Sequence, residues 1–103
     1  MSEGALALVA DRFKVLSEPN RLKLLAALHD GELNVSQLVT TTDATQANVS
    51  KHLGILMDAG MVSRRKEGLN VYYMISDPTI FQLCDLMCSK IEKEFAAKTA
   101  HFR

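Results

Sequence analysis

The chain has 103 residues, 48% of them hydrophobic and 23% charged, and its twelve basic side chains are balanced by twelve acidic ones. That length supports one small core, and the charge balance excludes a uniformly basic nucleic-acid binder while leaving room for a locally basic face. No apolar run approaches the roughly 18 residues of a membrane span, no signal peptide is expected at the N-terminus, and Cys84 and Cys88 are too close in sequence to staple distant parts of the chain. The expectation is a protein of the reducing cytoplasm with no membrane partner.

Leu6, Val9, Phe13 and Leu16 recur at spacings of three and four and predict an amphipathic helix over about 5–16. Pro19 suits the first position of a second helix, which carries Leu22, Leu25, Ala26 and Leu28 and ends at His29-Asp30-Gly31. Asn34 can cap a short third helix with Val35, Leu38 and Val39, and Thr40–Asp43 reads as a turn. Thr45 caps a fourth helix over about 46–58, which Gly60 closes in a left-handed conformation. The period then changes: Val62–Lys66 and Asn70–Ile75 flank Glu67-Gly68-Leu69 as a hairpin. Asp77-Pro78 opens a last helix running to about 98. The order is ααααββα in one domain spanning 1–103, mainly helical with a β-hairpin wing.

Short helices, a polar turn, another helix and a basic hairpin form the layout of a winged helix-turn-helix, with the turn unit at about 34–58 and the wing at about 62–75. At about 100° per residue, Val49, Leu53 and Leu56 share one face of the fourth helix and anchor it. Its N-terminal turn and opposite side carry Gln46, Ala47, Asn48, Ser50, Lys51 and Gly54, whose polar groups can bond base edges or phosphates while the small residues permit close approach. Lys51, Arg64, Arg65 and Lys66 face one acid, Asp58, between positions 51 and 66. Alone, the basic strand would also fit a solvated edge guarded against aggregation. With the helix chemistry, it points to double-stranded DNA. The rival is a winged helix that binds protein without DNA, which would predict an apolar or acidic outer face on that helix. An enzyme is disfavoured, because no metal, nucleotide or nucleophile motif is present and the three histidines stand far apart. No cofactor is implied.

The last helix has Ile80, Phe81, Leu83, Cys84, Leu86, Met87 and Cys88, with only Gln82 and Asp85 polar between them, and Ile91 and Phe95 extend the stripe. That is more apolar circumference than a small domain can cover, so a second subunit is expected on it. A twofold dimer sets two reading helices about 34 Å apart and reads a palindrome.

Leu16–Leu25 (LSEPNRLKLL), Thr45–Leu53 (TQANVSKHL) and Gly60–Tyr73 (GMVSRRKEGLNVYY) closely resemble the ArsR/SmtB family of winged-helix repressors, in matching order and spacing over about 5–90. The resemblance implies a homodimer through the first and last helices (about 5–16 and 78–98), binding of a palindromic operator, and release by a metal or redox signal in many members. By position it implies DNA contacts from Gln46, Ala47, Asn48, Ser50 and Lys51 on the reading helix and from Arg64, Arg65 and Lys66 on the wing. It also implies a structural role for Arg21 in a pair with a carboxylate.

Both metal sites familiar in that family look absent. Asn34 and Ser36 stand where a Cys-x-Cys would be, and on the last helix Asp77 is retained while Lys90 and Lys93 replace its partners. No metal ligand set is therefore assigned, and a regulator without a small inducer is one alternative. Cys84 and Cys88 lie one turn apart and are the candidates for a thiol-directed signal, against the plainer reading of free cysteines packed as small hydrophobes. His101, a further ligand candidate, reads as solvated near the chain end.

Overall fold

The computed structural model describes residues 1–102, with side chains through residue 96. Helices begin where a side chain can satisfy open N–H groups. Ser2 caps α1 (Glu3–Leu16), and Glu18 accepts from the Asn20 amide at the start of α2 (Pro19–Ala27), with Pro19 in the first turn. Asn34 and Gln37 form a reciprocal capping box on α3 (Val35–Thr42), and Thr45 caps α4 (Gln46–Asp58). Gly60, at φ 74°, then reverses the chain into the sheet.

The wing is larger than a hairpin. β2 (Val62–Glu67) and β3 (Asn70–Ile75) pair antiparallel from Val62 opposite Ile75 to Glu67 opposite Asn70. β1 (Leu33–Asn34) adds to the other side of β3, giving the order β1-β3-β2. Two residues carry no periodicity, so β1 left no pattern to read. Two boundaries also differ from expectation. Thr40 and Thr42 are helical, with their hydroxyls bonded back to the Ser36 and Leu38 carbonyls, and the turn contracts to Asp43 in the left-handed region at φ 54°. α5 (Ile80–Phe102) starts two residues after Pro78, because Asp77 accepts from the Thr79 amide and hydroxyl and holds a separate turn there.

Leu24 and Leu25 of α2 with Leu28 capping its end, Leu38 of α3, and Val49, Leu53 and Leu56 of α4 make the centre of the core. Val62 and Tyr73 of the sheet and Ile80 of α5 close it. Leu38 and Leu56 are fully buried, and they fix the angle of the helix-turn-helix unit. By contrast, α1 buries no residue at all.

Candidate nucleic-acid interface

Val49, His52, Leu53 and Leu56 turn inward from α4 at spacings of three and four. Gln46, Ala47, Ser50, Lys51 and Gly54 are exposed on the remaining circumference, and Asn48 is half-buried. The first turn of α4 has no acidic residue, so the positive end of the helix dipole is left uncompensated. Thr45 satisfies only the Asn48 amide there, at 3.1 Å. The outer face can therefore offer amide, hydroxyl and ammonium groups to base edges or phosphates.

His52 belongs to the anchoring set that the sequence limited to Val49, Leu53 and Leu56. It is 5% exposed, and its Nδ1 accepts from Arg21 Nη1 at 3.3 Å. Only the neutral ring, protonated on Nε2, can accept there. Burial, and then the Arg21 charge, hold the His52 pKa below the ordinary imidazole value. Among the described residues Arg21 makes no ion pair with a carboxylate, contrary to the expectation from resemblance. Its Nε donates to the Val15 carbonyl at 2.6 Å and Nη2 to the Lys14 carbonyl at 3.5 Å, which also accepts from the Ser17 amide and hydroxyl at the end of α1, while Glu18 is committed to the Asn20 amide. Arg21 thus ties the end of α1 to α4.

On the wing, the three consecutive basic residues differ in circumstance. Arg64 and Lys66 are exposed and make no ion pair among the described residues. Arg65 lies between the carboxylates of Glu32 and Glu67 and over the Tyr72 ring. These contacts push the Arg65 pKa up, and the guanidinium bonds hold the Glu32 pKa below its usual range.

Away from this face, Leu6, Val9 and Phe13 of α1 and Leu83, Leu86, Met87 and Ile91 of α5 are exposed, Leu86 at 71%. Cys84 is half-buried and Cys88 exposed, both as free thiols. They line a groove of about 460 Å³ with Leu22, Leu25, His29 and Phe81. Burial pushes the Cys84 thiol pKa up, and the neighbouring Cys88 and Asp85 add to the shift. The His29 ring stands edge-on to Phe81, and its Nδ1 lies 3.2 Å from Asp30 Oδ1. Among the described residues, no group of three or more His, Cys, Asp or Glu side chains is placed to hold a metal ion, and no helix is long and apolar enough to cross a membrane. The His101 side chain lies outside the described residues.

Comparison with known proteins places these features in context. Residues 18–64 match the model of the bacterial regulatory proteins of the arsR family. The cadmium resistance transcriptional regulatory protein CadC of Listeria innocua is 42% identical over 79 residues, 76% of this chain and 66% of that protein, so the chain spans just under two thirds of that relative. The crystal structure of Rv0081 from Mycobacterium tuberculosis superposes with a TM-score of 0.84 at 28% identity, covering 95% of this chain and 99% of that one. The homodimeric winged helix-turn-helix DNA-binding domain of Mb0332 from Mycobacterium bovis superposes at 0.79, with 28% identity, covering 92% of this chain and 91% of that one.

Proposed function

The chain belongs to the ArsR family of bacterial regulatory proteins, and on that premise we propose that it is a DNA-binding transcriptional repressor acting as a homodimer on a palindromic operator in the cytoplasm. The observation that carries the reading is the outer face of α4. Gln46, Ala47, Asn48, Ser50 and Lys51 line a helix end free of acids, beside the unpaired Arg64 and Lys66 of the wing. In the major groove, Gln46, Asn48 and Ser50 would meet base edges, Ala47 would permit close approach, and Lys51 would meet phosphate. Arg64 and Lys66 would meet flanking phosphates, and Arg65 serves the same wing from within its carboxylate pair. The protein-binding rival fits this face poorly, since the face is neither apolar nor acidic.

The second copy would cover α1 and α5. Only Val15 and Leu16 at the end of α1 pack against the core, so the exposed Leu6, Val9 and Phe13 of this 14-residue helix need another surface. The similarity to a homodimeric domain supports a second copy as that surface. Cys84 and Cys88 sit on the α5 side of this arrangement, where their first role is packing. The exposure of Cys88 keeps a thiol-directed release signal as the second reading. A mobility-shift assay on the chain's own upstream DNA, run with reductant, peroxide, zinc and arsenite as separate conditions, tests both. Specific retardation supports the repressor, and its absence under every condition refutes it.

A further inference from the structure

β1 and β2 both pair with β3 and share no backbone hydrogen bonds with each other. One side chain bridges them. Arg65 Nε donates to Glu32 Oε2 at 2.8 Å, Nη2 donates to Glu32 Oε1, and Nη1 donates to Glu67 Oε2 at 2.8 Å. The register sets Arg65 of β2 opposite Tyr72 of β3, and Tyr72 opposite Asn34 of β1, one residue from Leu33 and two from Glu32. The guanidinium carbon stands 4.8 Å from the Tyr72 ring centroid. The side chain therefore crosses the central strand over an aromatic ring and ends on the segment entering β1, which runs directly into α3 through the Asn34 cap.

Strand alternation puts Arg64 and Lys66 on the opposite face of the sheet from Arg65. A phosphate strand lying along one face cannot meet all three. Arg65 also shares its site with two carboxylates, so the cluster is net negative and three of the five guanidinium N–H donors are already engaged. We propose that Arg65 is a positioning residue of the wing: with Glu32 it straps β2 to the entry of the helix-turn-helix unit, so that Arg64 and Lys66 reach the DNA backbone, and it binds no phosphate itself. The inference rests on the DNA-binding function proposed above. A bidentate fork over a ring needs a planar guanidinium, which lysine lacks.

The test measures operator binding by fluorescence anisotropy across a salt series for the parent, Glu32→Ala, Arg65→Ala, the double variant and Arg65→Lys, with circular dichroism as the folding control. Both single variants are expected to weaken binding by the same factor, about three- to tenfold. The double variant should be no weaker than either single one, Arg65→Lys should not rescue, and any fall in the salt slope should be equal in Glu32→Ala and Arg65→Ala, because both release the same wing cations. Three results would overturn the strap: a salt slope lower in Arg65→Ala than in Glu32→Ala, tighter binding by Glu32→Ala, or unchanged affinity in both. A parent that binds no DNA refutes the proposed function instead. In that event the strap is read by the Arg65 Nε–H resonance in ¹⁵N NMR, which Glu32→Ala should shift and expose to faster exchange. A resonance indifferent to Glu32 would refute it.

Discussion

Replacing Lys51 with Ala tests the reading face quantitatively. Among the described residues, Lys51, Arg64 and Lys66 are the cations of this face without an ion pair. A dimer therefore offers six, and at about 0.9 counterions released per phosphate contact the logarithm of the operator affinity should fall with log salt at a slope of about −5.4. Between 50 and 200 mM salt, that amounts to roughly a 2,000-fold loss of affinity. Lys51→Ala removes two contacts per dimer and should flatten the slope to about −3.6, leaving a loss of roughly 150-fold over the same range. Counting Arg65 as a fourth phosphate ligand would make the parent slope about −7.2, so the parent measurement alone separates three wing-and-helix cations from four. Anisotropy of a labelled duplex from the chain's own upstream region, titrated at several salt concentrations, gives these slopes. A folded Lys51→Ala protein with the parent slope and affinity would refute the placement of α4 on DNA.

Ile91→Asp puts a charge on the exposed apolar side of α5 and should convert the dimer to monomer in sedimentation at micromolar concentration while the helical circular dichroism persists; a parent that sediments as a monomer refutes the dimer. His52 should make stability fall on acidification. Its folded pKa lies below the unfolded value near 6.5, so the unfolded chain binds the extra proton first, and the contribution is complete above about pH 6.5 and lost below it. Thermal melts from pH 7.5 to 5 should fall less steeply for His52→Gln than for the parent, and equal falls would refute this. Replacing both Cys84 and Cys88 with Ala should leave operator release by any thiol reagent or metal intact if they only pack; loss of a response that the parent shows assigns them as the inducer site.

Much of the architecture was legible because it rests on local chemistry. Thr45 and Asn34 announce helix starts through their side-chain acceptors, Gly60 announces the reversal at a positive φ, and the change of period after Gly60 announces the wing. The reading face was legible by subtraction, since anchors at Val49, Leu53 and Leu56 leave the polar side outward. His52 shares that inward stripe at a spacing of three from Val49 and could have been found there, but an anchoring set chosen by apolar residues alone passes over it. β1 was set by a pairing that only the folded chain supplies, a neighbouring strand for two residues, and α3 runs on through Thr40 and Thr42, polar residues that fit a turn as well as a helix.

The roles of the arginines were hidden for a different reason. A side chain that binds backbone carbonyls, as Arg21 does at Val15 and Lys14, selects no residue type at its partner and leaves no mark in the sequence. Arg65 does have residue-specific partners, yet Glu32 stands 33 positions away and is brought near only by the β1–β3–β2 order, which itself depends on a strand of two residues. Composition counts Arg64, Arg65 and Lys66 as three equal charges. The folded sheet separates them by face and places only Arg65 between two carboxylates. In the same way one guanidinium, that of Arg21, joins carbonyls near the end of α1 to His52 of α4, next to Lys51, so a contact between two helices far apart in sequence rests on a residue whose partners the sequence does not single out.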